Sequence, residues 1–492
     1  MRVGDGAAHS AILGEVERRL PESATTNGGG ALGFPVARGG ATCCNAGMDD
    51  VTGQTGERWR LTVDRLAFEG RGVARREGLV VFVDGALPGE EVEAEVVARK
   101  KNHAVAVARA ILAPSPSRRE PGCPVFGACG GCCFLDFAYE GQAAAKERFV
   151  AEAVRSLPGV ADTLRPIVAA PEPFRFRNKM SFSVGRGPEG PVVGLHTRHD
   201  PNRVVSAASC LLPSAACGEI VRRIEERLRA NRSLRLARVE VREARATGQR
   251  MVHLVDAPGG RRDPAADAAW AEVLRDACDT ILASDETRGP ATRGRGPGRL
   301  RTLHGPGYLV ERAGPYEFRI GPHTFFQTNT AQAERLFAHL AARAKAGGAR
   351  RIWDLYAGAG AISLFLAAAA DEVVAVEGHG DSVREGVRNA AANGVKNVRF
   401  VAADVAHWRP SGEARPDLVA IDPPRAGLRP DVARAIAAAS PARVFYVSCH
   451  PAALARDLAI FRAEGYECRA LQPFDFFPQS FHVECVAELE RG

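Results

Sequence analysis

Between residues 351 and 487, β-prone apolar runs alternate with helix-patterned stretches, and the first run ends directly on a glycine turn, Asp354-Leu-Tyr-Ala-Gly-Ala-Gly360. Strands separated by helices are not joined as hairpins; each crosses over and pairs in parallel, with helices on both sheet faces. The pattern predicts strands at 351–356, 372–377, 398–402, 418–421, 443–447 and 483–487, and helices at 360–370, 381–393, 431–438 and 451–463. This is a doubly wound α/β sheet, an architecture that binds ligands beyond the carboxyl ends of its strands.

The rest of the 492-residue chain reads differently, as a multidomain α/β protein should. Residues 1–56 hold small polar tracts with no lasting period and are expected to form a flexible extension. From 57 to 112, short β-prone runs at Leu61, Val63, 80–83, 92–97 and 105–107 are separated by glycines, the pattern of a small closed barrel. Arg71, Arg75, Arg76, Arg99, Lys100 and Lys101 are placed to face a phosphate backbone, amid enough acidic residues to make a solvated face an equal reading. Residues 113–320 form a mixed middle domain that opens with a cysteine-rich loop, with strands expected at 179–185, 191–196, 236–241 and 249–255. Arg288, Arg293, Arg295, Arg299 and Arg301, set among glycines and prolines, read as an exposed basic loop. The catalytic domain is expected over 321–492.

Composition narrows the class. No run of about 18 apolar residues suggests a membrane span, and the first twenty residues lack the apolar core of a secretory signal. A net charge of +7 gives only a mild pull toward polyanions. The twelve cysteines are unevenly placed, four of them within Cys123–Cys133, which suits a metal or cluster in a reducing, cytoplasmic setting better than a disulfide framework. By spacing alone, these thiols admit zinc or an iron–sulfur cluster.

In the glycine turn, Gly358 and Gly360 allow a ligand to approach the backbone closely. Glu377 ends the next strand, where a carboxylate can accept hydrogen bonds from ribose hydroxyls. No Gly-Lys-Ser/Thr follows, so this is not a nucleotide triphosphate loop. Two later strands end on chemistry. Ile421-Asp-Pro-Pro-Arg-Ala-Gly427 stiffens the chain just past a strand and fixes Asp422 at the sheet edge. Tyr446-Val-Ser-Cys-His-Pro451 brings Cys449 to a strand-to-helix turn, where helix N–H groups favour a thiolate. Glu484 stands among Val483, Cys485 and Val486, so burial is expected to raise its pKa and make it a general base. A thiolate and a base together suit alkylation at carbon 5 of a uracil. Addition of sulfur to carbon 6 builds electron density at carbon 5, and a base later removes the carbon-5 proton.

At this point the chain resembles the RNA uracil-5-methyltransferase family, and within it the cluster-containing branch that acts on 23S ribosomal RNA. The resemblance rests on Phe325-Phe-Gln-Thr-Asn329, Asp354–Gly360, Asp422-Pro-Pro-Arg425, Ser448-Cys449 and His482-Val-Glu484, and extends from about Leu61 to the C-terminus. It implies a C-terminal S-adenosylmethionine-dependent methyltransferase domain, Cys449 as nucleophile, Glu484 as base, and Asp422 between cofactor and target base. It also implies that Gln327, Tyr356, Gly358, Gly360, Glu377 and Asp404 line the cofactor site. The barrel resembles a TRAM domain, implying RNA contact, and the middle domain would help to seat RNA. Cys123-x5-Cys129-x2-Cys132 matches the family's iron–sulfur loop, with Cys210 as the distant fourth ligand of a [4Fe–4S] cluster. Cys133 is an extra thiol beside Cys132, and His450 stands where the family often has Asn. No obligate protein partner is inferred. The alternatives are a tRNA uracil-5-methyltransferase, a noncatalytic RNA-binding protein and an iron–sulfur oxidoreductase.

Overall fold

The structure is a computed structural model, and it describes residues 56–492 except 232, 258–263, 286–298 and 409–413. The expected extension up to residue 55, and with it Cys43 and Cys44, lies outside the described residues.

Strands β1 (Arg58–Leu66), β2 (Gly72–Arg76), β3 (Leu79–Asp84), β4 (Glu91–Arg99) and β5 (His103–Ala113) close into a barrel in the order β1-β2-β3-β5-β4. Alternation builds it. Trp59, Leu61 and Val63 of β1 point inward, as do Val92, Ala94 and Val96 of β4, while the intervening charges pair outside as Arg58–Glu93 and Arg60–Glu91. Such exposed pairs add little stability. Of the arginines considered for phosphate contact, Arg71 pairs with Asp84 at 3.2 Å, and Arg76 and Arg99 lie over the Trp59 ring at 4.7 and 5.8 Å.

Helix α1 (Tyr139–Val154) links the cysteine-rich loop to the body. The middle domain holds β6 (Lys179–Gly187), β7 (Gly190–His196), β8 (Val204–Ser206), α2 (Ala215–Ala230), β9 (Leu236–Glu243), β10 (Arg250–Asp256), α3 (Pro264–Leu274), β11 (Thr280–Asp285) and β12 (Arg301–His304). Its seven strands order as β12-β11-β10-β9-β6-β7-β8. Ile220, Val221, Ile224 and Leu228, at helical spacing on α2, pack on Phe182, Val239 and Val241. The basic loop needs correction at one end. Arg301 is a strand residue whose guanidinium, 9% exposed, pairs with Asp256, Asp267 and Asp285. Three carboxylates around one cation make it a structural tie. Arg288, Arg293 and Arg295 lie outside the described residues.

A hairpin, β13 (Leu309–Ala313) and β14 (Tyr316–Ile320), leads into α4 (Thr330–Ala346), whose first turn is capped by Asn329 accepting from the Gln332 N–H at 3.2 Å. The last domain then runs β15 (Arg351–Leu355), α5 (Ala361–Ala367), β16 (Glu372–Glu377), α6 (Gly380–Ala392), β17 (Val398–Ala402), β18 (Leu418–Ile421), α7 (Pro430–Ala438), β19 (Arg443–Ser448), α8 (Pro451–Ala463), β20 (Tyr466–Phe474) and β21 (Glu484–Arg491). The sheet order is β17-β16-β15-β18-β19-β21-β20. Strands β15 to β19 are mutually parallel, as the alternation predicted. The end is different: β21 inserts antiparallel between β19 and β20. Helix α7 shows why the sheet is covered. Pro430 opens it, and Val432, Ala433, Ile436 and Ala437 form one apolar stripe buried against the sheet. Burying the Ile436 side chain stabilises by roughly 1.5–3 kcal/mol. Among the described residues no helix is long and apolar enough to cross a membrane.

Candidate active site

The parallel strands β15 and β16 end side by side, and the chain leaving β15 makes the glycine turn. Tyr356, Gly358 and Gly360 all have positive φ, at 65°, 56° and 82°. For the tyrosine this is a strained conformation of the kind that clusters at ligand sites. The two glycines serve different needs. A Cβ on Gly360 would lie 2.6 Å from the Phe400 ring, whereas a Cβ on Gly358 would meet nothing within 4 Å. Gly360 thus permits packing, and Gly358 borders open space.

Glu377 ends β16, and its carboxylate accepts from the Gly358 N–H at 3.0 Å and the His379 N–H at 2.7 Å. These bonds orient the group while leaving lone pairs for hydroxyl donors. Asp404 lies just past the neighbouring β17, exposed; burial, and then Asp404, raises the Tyr356 phenol pKa. Gln327 is on the segment before α4, held by its carbonyl accepting from Asn178 Nδ2 at 2.9 Å. Beneath the turn, Asp354 is 1% exposed; Ser363 Oγ donates to one carboxylate oxygen, and the other has no partner. Burial, Asp422 and Glu377 push its pKa up to about 7. An acidic lining with an orphaned carboxylate oxygen suits a ligand that carries positive charge and hydroxyl donors.

Asp422 follows β18, and Cys449 follows β19. Because β21 runs the opposite way, Glu484 at its start reaches the same edge, with Cys485 paired to Ser448. Topology therefore gathers three residues from distant sequence. Their charges act on one another. Burial, then Glu484 and Asp422, pushes the Cys449 thiol up to about 12, and Arg425 opposes the shift. Burial and the neighbouring Asp422 raise Glu484, which is 3% exposed, well above the usual carboxylate range. Burial pushes Asp422 up to about 7. Two coupled carboxylates in one buried site do not both ionise readily. His450 fills the cap position after Cys449, its Nδ1 accepting from the Ala453 N–H at 3.2 Å. Its ring also meets Phe68, from the barrel, at 5.3 Å; Phe68 touches Phe481 at 5.1 Å.

In the cysteine-rich loop, Cys123, Cys129, Cys132 and Cys210 line one mostly apolar cavity with Phe126 and Leu195. The Gly131 N–H donates to Cys129 Sγ at 3.3 Å. Arg198 donates to the Cys132 carbonyl at 2.7 Å and Arg175 to the Cys210 carbonyl at 3.0 Å. Cys133 turns away from the cavity, and its sulfur would lie 3.2 Å from a Cβ on Gly70. Among the described residues no three or more His, Cys, Asp or Glu side chains form a group that could hold a metal ion as they stand.

Sequence reasoning passed over Asp354 and Arg425, although both stand in the quoted motifs. The signal for each was there: a carboxylate inside an apolar strand, and a cation three residues from Asp422.

Comparison with known proteins extends the picture. A family model described as TRAM domain matches residues 53–108. Another, described as tRNA (Uracil-5-)-methyltransferase, matches residues 310–407 and 414–492. An uncharacterized RNA methyltransferase of Gloeobacter violaceus is 38% identical over 452 residues, spanning 89% of this chain and 97% of the relative. Another, of Halalkalibacterium halodurans, is 32% identical over 445 residues, spanning 87% of this chain and 96% of the relative. The solved structure of Pyrococcus abyssi tRNA (uracil-54, C5)-methyltransferase in complex with S-adenosyl-L-homocysteine is alike in fold. Its TM-score is 0.69 at 23% identity, over 88% of this chain and 100% of that one.

Proposed function

We infer the activity from one premise: this chain belongs to the RNA (uracil-5-)-methyltransferase family and carries a TRAM domain. The reaction is methylation of carbon 5 of a uridine in RNA, with S-adenosylmethionine as donor. The observation that carries the reading is the meeting of Cys449, Asp422 and Glu484 at one sheet edge, one strand from the glycine turn. When bound, S-adenosylmethionine supplies an electrophilic methyl group on a cationic sulfonium. Glu377 and Asp404 would hold its hydroxyl and amino donors, with Gln327, Tyr356 and Gly358 alongside.

The target base leaves its stack to reach this edge. Cys449 Sγ, as thiolate, adds to carbon 6 and makes carbon 5 nucleophilic enough to take the methyl group. Burial and the two carboxylates oppose the thiolate, and Arg425 favours it. Glu484 then removes the carbon-5 proton, and the electron pair released expels the thiolate and restores the ring double bond. A raised pKa suits that role, since a more basic carboxylate takes the proton more readily. Asp422, able to stay protonated near neutrality, would donate to the pyrimidine edge and orient it.

The four cysteines that ring one cavity are assigned to a [4Fe–4S] cluster, which spreads its ligands around several irons, where zinc gathers them about 2.3 Å from a single ion. Methyl transfer needs no electron from it, so its work is to organise the fold or the RNA surface. The substrate is assigned as 23S ribosomal RNA in the cytoplasm; the fold shared with an enzyme named for tRNA makes tRNA the second reading. Mapping 5-methyluridine in total RNA from a deletion strain tests the assignment. Loss from 23S RNA supports it, and loss confined to tRNA replaces it with the second reading.

Glu377→Ala should weaken S-adenosylmethionine binding while leaving RNA binding intact. Losing a charge-assisted hydrogen bond costs about 1.5–3 kcal/mol, or roughly ten- to hundredfold in affinity. Calorimetric titration with each ligand checks it; unchanged cofactor affinity in a folded variant would mean that Glu377 serves only the Gly358 and His379 amides.

A further inference from the structure

Behind the catalytic edge, residues 475–483 lead from β20 to Glu484. They are anchored by α1 and the cysteine-rich loop. Gln479 is the node, 3% exposed. Its N–H donates to Gln142 Oε1 at 2.9 Å, and Gln142 Nε2 donates back to Gln479 Oε1 at 3.0 Å. Its carbonyl accepts from the N–H groups of Cys133 and Phe134 at 3.1 and 3.2 Å, directly after the cavity-lining Cys132. Gln142 Nε2 also donates to the Phe134 carbonyl at 3.0 Å. One turn along α1, Lys146 Nζ donates to Asp475 Oδ1 at 2.6 Å and to the Phe477 carbonyl at 2.9 Å, with both charged side chains fully buried.

The backbone of Gln479 says why its side chain matters. Its φ is +67°, a left-handed conformation that glycine adopts without strain. A turn alone calls for glycine. Glutamine there gains what its amide makes: the bond to Gln142 and one from Nε2 to the Pro173 carbonyl at 3.2 Å. None of these bonds reaches the chain that carries Cys449, or the glycine turn. Their link to the catalytic edge runs through the segment that delivers Glu484.

We propose that Gln142 and Gln479 are a positioning pair through which α1 and the cysteine-rich loop set the carboxyl of Glu484. The inference rests on the reading of Glu484 as the base that frees the methylated product. Disturbing the pair then slows release of methylated RNA far more than attack by Cys449, because attack needs only the other two strand ends.

The full-length protein, a target-containing RNA transcript and S-adenosylmethionine allow the two steps to be timed in single turnovers, by adduct appearance and adduct decay. In Gln142→Leu, decay should slow by about tenfold or more, the scale on which small misplacements act, while adduct appearance changes by less than about twofold. Gln479→Gly keeps the turn and the backbone bonds while removing the side chain and its amide, so it should show the same split and remains informative if Gln142→Leu does not fold. Equal slowing of both steps, or decay at the parent rate, would overturn the proposal, since a merely stabilising contact moves both or neither. Glu484→Gln run in parallel separates the two ideas. If it traps an adduct that Gln142→Leu and Gln479→Gly resolve normally, the positioning pair alone is wrong. If it traps none, the reading of Glu484 falls, and the pair's role with it.

Discussion

Cys449→Ala should eliminate both 5-methyluridine formation and any covalent enzyme–RNA complex, whereas Glu484→Gln should form the complex, transfer the methyl group and stall. The contrast follows from where the two residues sit. Cys449 leaves β19 and Glu484 enters β21, and the antiparallel pairing of these strands brings them to one edge from opposite chain directions. Without sulfur at position 449 nothing adds to carbon 6, so neither later step can occur. With glutamine at 484, addition and transfer proceed, but the amide is not basic enough to take the carbon-5 proton. Removing a general base costs about 10²–10⁴ in rate, so the methylated adduct should survive denaturing electrophoresis. The glutamine also removes a carboxylate that raises the Cys449 thiol. Alkylation of Cys449 should therefore begin at lower pH in this variant, which distinguishes a lost base from a collapsed site.

The second large effect concerns iron. Protein purified without oxygen should carry about four irons per chain, as expected for one cubane cluster. Cys132→Ser should lose most of that iron and the accompanying visible absorbance, because Cys132 lines the cavity with Cys123, Cys129 and Cys210. Cys133→Ser should retain it, because that sulfur packs toward Gly70, outside the cavity lining. Iron and sulfide analysis of the three proteins decides. One zinc per chain without sulfide, or equal loss in the two variants, would contradict the assignment.

The parts of the molecule legible in the sequence are those coded locally. The glycine turn, the proline-stiffened end of β18 and the cysteine after β19 each carry their signal within about seven residues, and the strand–helix alternation orders them along a parallel sheet. Strand β20 was not legible. Its sequence YECRALQPF breaks alternation at a bulge between Cys468 and Ala470 and carries Pro473, which an edge strand tolerates. Helix α4 is not legible because its cap, Asn329, is the last residue of a motif read for chemistry alone. Arg301 looked like a loop residue because its three aspartates are 16 to 45 residues away. The pairing of Lys146 with Asp475 spans 329 residues, beyond any periodicity argument. Asp354 shows a subtler gap: sequence places it in a strand, but only three dimensions bury it fully and bring Asp422 and Glu377 near enough to add to the rise in its pKa.

In the proposed reaction, Cys449 bonds to the RNA base that becomes methylated. Glu484→Gln protein, incubated with RNA and S-adenosylmethionine, trimmed by nuclease and digested by protease, puts it directly to mass spectrometry. The expected result is one modified peptide, containing Cys449 and carrying a nucleotide one methyl group heavier than uridine monophosphate. An unmodified Cys449 peptide beside RNA that has nonetheless gained 5-methyluridine would contradict it.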